Sequence, residues 1–349
     1  MKLLLPVAGR SSRFPGMRPK WLLTLPDGKL MIEKSLSGIY LTNITEVVVI
    51  MLEEHNKYIS YKNIHDALKK ITGENIPITI HKLNESTPSQ PATVASYLNS
   101  QKDDFPFFIK DCDNYFEFKP ESKNSVAFVP LSAMNLVAAG SKSYITINAF
   151  DEIELIAEKS VISDKFCCGG YGFKSSKSFL NVYQSLGGDS NSDLYVSHII
   201  QKDILDGVTF FSNEALNYED YGTALEYYAY IGNVRTIFSD FDGVLVINSS
   251  KFANPPWQYR PNIKNLEFIS RFLKNSQTSK LIVTTSRPTA EKENIRNFLK
   301  KYEIDCHEII TDLPHAGRVL INDFSKSNPF PSAQAINLVR DAENLSDYF

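Results

Sequence analysis

The feature that most limits how this chain can fold is a series of short apolar runs, rich in β-branched residues, that alternate with helical patterns. In the N-terminal part these runs read KLLLPV, EVVVIML, IPITIHKL, FPFFIKD and SVAFVPL. Residues 31–40, 58–71 and 92–100 between them have helical spacing. Because near-continuous apolar strands must be buried on both faces, the alternation predicts an α/β fold with a mostly parallel sheet between layers of helices.

The pattern changes after residue 143. SYITINAF and EIELIAEK predict an antiparallel hairpin, and CCGGYGFK predicts a further strand. A helix over 194–205 and another that starts near Gly222 follow. The adjacent cysteines in CCGGYGFK have no nearby histidine, so we interpret them as small buried strand residues rather than zinc ligands.

The alternation of strands and helices starts again at Val234. Four apolar runs alternate there with helical stretches and read VRTIFSD, KLIVTTS, CHEIITD and GRVLIND. The chain of 349 residues is long enough for two domains of ordinary size. We therefore predict two α/β domains, 1–233 and 234–349.

Composition excludes several classes of function. A net charge of −3 argues against a general nucleic-acid or anionic-membrane binder. The apolar runs are too short to span a bilayer, and MKLLLPVAG is too short for a signal-peptide core. Four cysteines in a chain of this size do not make a disulfide framework. These observations together predict a cytoplasmic protein.

Acidic and hydroxyl residues follow three of the predicted strands in the second half. FSDFDGVL places Asp240 and Asp242 directly after one strand, LIVTTSRP places threonines after the next, and RVLINDFS ends in Asp323. Open α/β sheets bind ligands at the carboxyl ends of their strands. Two carboxylates with different tasks, one attacking phosphorus and one carrying a proton, would suit phosphate-ester hydrolysis.

Together these segments resemble the haloacid-dehalogenase-like (HAD) phosphatase superfamily over residues 234–349, without room for a large cap domain. The resemblance implies that Asp240 is the nucleophile and Asp242 the general acid and base. It implies that Thr285, rather than Thr284, binds the phosphoryl group, and that Asp323 joins Asp240 and Asp242 in holding Mg²⁺. Where the family carries a lysine, this chain offers Arg318 as the phosphate-binding cation. A domain of this fold without activity is the alternative.

The first predicted strand leads into a glycine turn with several basic residues, AGRSSRF followed by PGMR and PKWLL. This stretch resembles the signature of sugar-phosphate nucleotidyltransferases, which have a Rossmann-like (GT-A-like) fold. The family often has glycine where this chain has Ser11. The resemblance implies that Arg13 and Lys20 are catalytic. It implies a nucleotide-binding loop made of Ala8, Gly9, Arg10, Ser11 and Ser12.

Further segments of the same signature follow in order along residues 1–233. IKDCDNYF resembles the segment with the first metal carboxylate, which makes Asp113 the candidate and Asp111 the alternative. NYEDYGT resembles the second metal segment, although Asp220 could instead cap the helix near Gly222. AEKS implies that Glu158 and Lys159 bind a sugar phosphate. Gln90 in TPSQPATV is the candidate that contacts the base, and Mg²⁺ is the implied cofactor.

The sequence thus predicts a bifunctional enzyme, in which a nucleotidyltransferase uses an NTP and a sugar or polyol phosphate and is fused to a phosphatase. Such enzymes resemble those that supply nucleotide sugars for capsular and other surface polysaccharides. One alternative is a glycosyltransferase, because the D-C-D at 111–113 also fits a nucleotide-sugar metal motif. A second is a nucleotidyltransferase with a non-catalytic C-terminal module. Aromatic segments such as EYYAYIG leave a homo-oligomer open, although core packing explains them equally well.

Overall fold

The computed structural model describes residues 1–11, 13–14, 16–133, 139–276, 278–323 and 333–349. The chain divides into two compact units, Met1–Tyr228 and Ala229–Phe349. Each unit has its own buried apolar core.

The first unit is built on a mixed, mostly parallel sheet, to which nine strands belong in the described part of the chain. The central path runs in the order β10-β6-β9-β4-β1-β2-β3, and a hairpin of β7 and β8 joins it through β9. A separate antiparallel pair is made by β5 and β11. The strands are β1 Lys2–Pro6, β2 Glu46–Leu52, β3 Ile78–Leu83, β4 Phe107–Lys110, β5 Asn114–Glu117, β6 Ser125–Pro130, β7 Tyr144–Ile147, β8 Ile153–Ala157, β9 Lys165–Phe173, β10 Phe211–Glu214 and β11 Leu216–Asp220.

The apolar runs form central strands because both faces of the sheet are covered. In β1 the three leucines 3–5 are fully buried, and Leu4 lies opposite Val48 in the parallel register with β2. The predicted parallel strands and the antiparallel hairpin are confirmed. Cys167 and Cys168 are buried in β9, as predicted.

The helices of the first unit lie close to the predicted segments. They are α1 Met31–Ser37, α2 Tyr61–Thr72, α3 Gln90–Leu98, α4 Ser176–Ser185, α5 Val196–Leu205 and α6 Ala224–Gly232, the last of which crosses the division between the units. The start of α3 lies two residues before the predicted one because Ser89 caps it, its Oγ accepting from Ala92 N at 3.3 Å. This difference makes Gln90 the first helical residue.

The second unit contains a parallel sheet in the order β12-β13-β14 and two longer helices. Its elements are β12 Thr236–Asp240, α7 Ile263–Asn275, β13 Lys280–Thr284, α8 Lys292–Lys300 and β14 Glu308–Ile310. Phe241, Leu266, Leu281 and Ile295 are fully buried in its core. Three of the four predicted strands of this half are therefore confirmed.

The fourth predicted strand of the second half, GRVLIND at 317–323, is wrong. The segment has no strand partner among the described residues, and Val319 and Ile321 are 85% and 89% exposed. An alternation of apolar residues is a local signal, whereas a strand also needs a neighbour that completes its hydrogen-bond ladder. Asp323 therefore does not stand at the end of a paired strand.

Within the described residues, none of the helices is long and apolar enough to cross a membrane.

One buried carboxylate of α5 predicts a pH-dependent stability. Burial, with a smaller contribution from Asp206, raises the pKa of Asp203 to about 6 from an ordinary value of 3.8. The folded protein therefore binds the proton more tightly than the unfolded chain, and this stabilisation is lost as the pH rises through about 6. We expect Asp203→Asn to stabilise the fold by on the order of 1 kcal/mol at pH 8 and by less at pH 4.5. Urea unfolding at the two pH values measures this, and an equal effect at both would contradict it.

Candidate active site

A cavity of about 710 Å³ opens in the first unit beside the carboxyl ends of β1 and β4. Its size is typical of a small-molecule site. The loop after β1, the turn after β4, the start of α3 and the end of β11 all contribute to its lining. The cavity thus lies where parallel α/β sheets usually bind ligands.

The loop after β1 forms one wall of the cavity. Ser11 has a left-handed backbone, with φ +50°, at the position where glycine was expected. Its Oγ accepts a hydrogen bond from Lys20 N at 3.0 Å, which ties the loop to the segment carrying Lys20. Gly9 lines the cavity, and Arg10 also donates to Ser86 Oγ at 3.0 Å. Ala8 differs from the prediction, because its side chain is fully buried and it is not a lining residue; Ser12 lies outside the described residues.

Lys20, Arg13 and Asp113 meet in this cavity. Lys20 Nζ makes an ion pair with Asp113 Oδ2, and Arg13 Nη2 lies 3.9 Å from the same oxygen. Burial by itself would raise the pKa of Asp113, but the ammonium of Lys20 and then the guanidinium of Arg13 more than offset it, so that the pKa lies well below its usual range. Asp113 is therefore a carboxylate across the physiological pH range.

The buried ammonium of Lys110 holds the turn that carries Asp113. Its Nζ donates to the carbonyl oxygen of Asp111 and to both the carbonyl and side-chain oxygens of Asn114. Lys110 is fully buried, and desolvation lowers its pKa. Lys110 thus holds the turn from inside the fold. The two aspartates of the turn, Asp111 and Asp113, contact different partners.

Asp111, the alternative candidate for the first metal carboxylate, contacts Gln90. Gln90 Nε2 donates to Asp111 Oδ1, and both residues line the cavity. A side chain at Gly169, which has φ +85°, would lie only 2.5 Å from Asp111 Oδ2, so the close approach requires glycine there. Burial, together with the nearby charge of Asp113, raises the pKa of Asp111. The arrangement favours Asp113 over Asp111 as the metal carboxylate.

Asp220 completes the carboxylate pair and is not the cap of α6. Thr223 caps that helix, because its Oγ1 accepts from Glu226 N at 3.2 Å while Glu226 Oε2 accepts from Thr223 N at 2.8 Å. Asp220 Oδ1 instead accepts from Gly222 N at 2.9 Å. Asp220, whose role the sequence left open, is therefore a lining residue of the cavity and not a helix cap.

Gly222 lies beside both carboxylates of the pair. A Cβ at this glycine would lie 3.1 Å from Asp220 Oδ1 and 3.2 Å from Asp113 Oδ2, so both oxygens face the same space. The described residues contain no group of three or more histidine, cysteine or acidic side chains that could hold a metal. Two carboxylates fit Mg²⁺, which is commonly bound by one or two of them together with substrate phosphates.

We expect Gly222→Ala to weaken the binding of Mn²⁺, used as a probe for Mg²⁺, by roughly 10–100-fold, because its Cβ enters the space between the two carboxylates. Gly232→Ala is the matched control, since a Cβ there meets no atom within 4 Å in the described structure. Calorimetric titration of both variants measures the affinities. Equal affinities would show that the space beside Gly222 is not the cation site.

A lysine that the sequence did not single out also lies at this site. Lys142 Nζ makes an ion pair with Asp220 Oδ2 and donates to Tyr218 Oη at 3.1 Å. Tyr218 Oη in turn donates to Asp220 Oδ2 at 2.9 Å. Lys142 lies just before β7 in no recognised motif, so no sequence signal could have found it.

Glu158 is held in the cavity by two serines, and Lys159 lies next to it. Glu158 Oε2 accepts from Ser143 Oγ and from Ser197 Oγ, the latter at 2.6 Å. Lys159 is exposed, has φ +52°, and its Nζ donates to Tyr195 Oη, whose residue lines the cavity. Glu158 is a lining residue, whereas Lys159 reaches the cavity only through Tyr195.

In the second unit, Asp240, Asp242 and Thr285 meet at the carboxyl end of the sheet. Asp240 ends β12, and Thr285 directly follows β13 and donates to Asp242 Oδ2 at 3.4 Å. Arg287 is fully buried and donates to Asp242 Oδ1 at 2.7 Å and Oδ2 at 3.0 Å. Asp242, which the sequence predicts to be the general acid and base, thus forms a bidentate ion pair with Arg287. The sequence did not predict this pair.

The other two predicted residues of the second unit have different surroundings. Arg318 donates to the carbonyl oxygens of Pro314 and Ala316, at 3.2 and 2.6 Å, within its own turn. Asp323 is exposed and ends the segment 317–323, which forms no strand among the described residues. The structure therefore brings Asp240, Asp242 and Thr285 together by direct contact or adjacent strand ends. It also places Arg318 near enough for its charge to oppose the rise in the pKa of Asp240 that burial causes.

No family model matches the sequence, and no curated protein is detectably similar to it. Among solved structures, the chain is similar to a nucleoside-diphosphate-sugar pyrophosphorylase from Vibrio cholerae RC9, with 18% identity, a TM-score of 0.55, and 66% of this chain and 99% of that chain covered. It is also similar to a UDP-glucose pyrophosphorylase complexed with UDP-glucose, with 14% identity and a TM-score of 0.51. That match covers 66% of this chain and 97% of the other. A third similar structure is an inositol-1-phosphate CTP transferase from T. maritima, with 13% identity and a TM-score of 0.50. That match covers 66% of this chain and 94% of the other.

The N-terminal two-thirds has a nucleotidyltransferase-like fold. The predicted Rossmann-like architecture of the first unit is thereby confirmed at the level of the fold. The cavity described above belongs to this nucleotidyltransferase-like unit.

Proposed function

We propose that the first unit transfers a nucleotidyl group from an NTP to a sugar or polyol phosphate and releases pyrophosphate. The observation that carries this proposal is the meeting of the glycine loop, the Lys20–Asp113 ion pair and Asp220 in one cavity. The pyrophosphorylases and transferase with the same fold are named for reactions of this class.

The reaction needs no protein nucleophile. A phosphate oxygen of the sugar phosphate attacks the α-phosphorus in line, a new P–O bond forms, and the bond between the α- and β-phosphates breaks with its electron pair on pyrophosphate. Backbone amides of Gly9 and Ser11 and the guanidinium of Arg13 bind the departing phosphates. Lys20 offers a compact positive charge to the phosphate oxygens at the reacting centre.

Asp113 and Asp220 would hold Mg²⁺ in the space beside Gly222. When bound there, the ion would supply charge neutralisation between the incoming phosphate and the nucleotide. Asp113 stays ionised for this task, because the surrounding cations hold its pKa well below the usual range.

The remaining predicted site residues would contact the base of the NTP and the sugar phosphate. Gln90, oriented by Asp111, would contact the base. Glu158, held by Ser143 and Ser197, would accept hydrogen bonds from sugar hydroxyls, and Lys159 would bind the sugar phosphate.

The test is a matrix of four NTPs and a panel of sugar and polyol phosphates, with Mg²⁺, read by pyrophosphate release. We expect release with a restricted set of pairs and a nucleotide conjugate as the second product. A glycosyltransferase would instead release no pyrophosphate and would hydrolyse or transfer from a nucleotide sugar. That outcome would refute the proposal.

We also propose that the second unit hydrolyses phosphomonoesters through an aspartyl-phosphate at Asp240. The convergence of Asp240, Asp242 and Thr285 at one end of a parallel sheet supports this function. As general acid and base, Asp242 would act beside the guanidinium of Arg287, with which it is paired. Mg²⁺ would be held by Asp240 and the main chain at Asp242, and Asp323 would join them only if the segment 317–323 came to the same edge of the sheet.

Asp240→Asn tests this second function. We expect it to reduce phosphate release from sugar bisphosphates by at least about 10³-fold, because the nucleophile is lost. Pyrophosphate release by the first unit should remain unchanged, which controls for folding. Equal, background-level phosphatase activity in the parent chain and the variant would favour the alternative of a non-catalytic module.

The two functions suggest an order of reactions. The second unit would convert a bisphosphorylated sugar or polyol to a monophosphate, which the first unit would then activate. Incubation of the full chain with a bisphosphate and an NTP should give the nucleotide conjugate only when Asp240 is intact.

A further inference from the structure

Protein groups engage most of the hydrogen-bonding capacity of Asp220, and Lys142 is the charged one among them. Oδ2 of this carboxylate contacts Lys142 Nζ and accepts from Tyr218 Oη, while Oδ1 accepts from Gly222 N. A carboxylate has about four lone-pair positions. Three of them are therefore engaged, and little of Asp220 is left for a cation.

The other carboxylate of the pair is neutralised in the same way. Lys20 contacts Asp113 Oδ2, the oxygen that also faces the space beside Gly222. Each carboxylate thus carries one lysine, and the four side chains are between 12% and 26% exposed. In this largely buried environment of low dielectric a divalent cation beside either ammonium would be strongly repelled.

The backbones of the two lysines are held by different segments. Lys20 N donates to Ser11 Oγ in the loop after β1, whereas the carbonyl oxygen of Lys142 accepts from Lys159 N at 3.0 Å. The backbone of Lys142 therefore stays beside the Glu158–Lys159 segment when its ammonium leaves Asp220. A lysine stem with four rotatable carbons allows such a movement without a change in the backbone.

We propose that Lys142 is an internal competitor of the divalent cation: it occupies Asp220 in the substrate-free enzyme and turns to the sugar phosphate when the cation binds. This inference rests on the proposed nucleotidyl transfer for its second half only. The device keeps Asp113 and Asp220 from repelling each other before substrates arrive. It also makes an additional cation available to the attacking phosphate once the carboxylates are otherwise engaged.

The test is a titration of the full chain with Mn²⁺, without nucleotide, followed by electron paramagnetic resonance. Lys142→Met removes the ammonium and keeps an unbranched side chain, and we expect Mn²⁺ to bind about tenfold more tightly than to the parent. Lys202→Met, which removes a lysine paired with Asp206 on the surface of α5, is the control and should leave the affinity unchanged. Lys142→Gln repeats the measurement, with circular dichroism to confirm folding.

A lysine that merely orients Asp220 would give the opposite sign, because its removal would weaken Mn²⁺ binding. Weaker or unchanged binding in both Lys142 variants therefore overturns the proposal. The pyrophosphate assay adds a second readout: half-saturation should require less Mg²⁺ in Lys142→Met, while kcat at saturating Mg²⁺ falls at least about tenfold. If the parent releases no pyrophosphate, the proposed function fails, but the Mn²⁺ titration still decides whether Lys142 competes for Asp220.

Discussion

Lys20→Ala is expected to reduce kcat for nucleotidyl transfer by about 10²–10³-fold, the usual effect of removing one charge-stabilising group from a reacting centre. The side chain of Lys20 is only 26% exposed and its Nζ is paired with Asp113, so bulk cations do not readily replace it. Its loss should also raise the pKa of Asp113, because the ammonium is the strongest influence that opposes the desolvation of this carboxylate. The measurement is pyrophosphate release as a function of pH, in which the acidic limb should move toward higher pH.

Lys29→Ala serves as the matched control for this substitution. Lys29 also pairs with an aspartate, Asp27 at 3.2 Å, but it is 51% exposed and is not a lining residue of the cavity. We expect its activity to equal that of the parent. Full activity of Lys20→Ala would show that the loop after β1 does not bind the reacting phosphates.

Asp113→Asn is expected to abolish Mn²⁺ binding and to lower nucleotidyl transfer by at least about 10³-fold, because a carboxylate of the proposed cation site becomes neutral. The variant also leaves Lys20 without its counter-ion. Asp111→Asn is the discriminating partner, since the sequence motif allows either aspartate. We expect it to keep Mn²⁺ affinity within about twofold of the parent and to raise KM for the NTP instead, because it disturbs Gln90.

Calorimetric Mn²⁺ titration and steady-state kinetics on both variants provide the comparison. If Asp111→Asn lost Mn²⁺ binding while Asp113→Asn retained it, the assignment of the two carboxylates would have to be exchanged. Loss in both would indicate that the turn held by Lys110 is one structural unit.

The apolar runs predict the main strands correctly because burial on both faces leaves a strong signal in the sequence itself. KLLLPV and EVVVIML become β1 and β2, whose central residues are fully buried. GRVLIND carries a similar apolar pattern but is exposed, since the pattern does not specify a neighbouring strand. Strand formation therefore follows from the sequence only where the rest of the sheet provides a partner.

In the candidate active site, too, some features follow from the sequence alone and others depend on contacts between distant segments. The α/β class, the order of the motifs along the first unit and the set of candidate residues follow from residue types and their spacing along the chain. The sequence left open whether Asp111 or Asp113 belongs to the carboxylate pair and whether Asp220 caps a helix. The three-dimensional structure places Asp113 beside Asp220 at Gly222, directs Asp111 to Gln90 and provides Thr223 as the cap of α6. Lys142 and the space beside Gly222 became visible only in three dimensions, because they arise where β5, β11 and the segment before β7 meet and no local pattern records such a meeting.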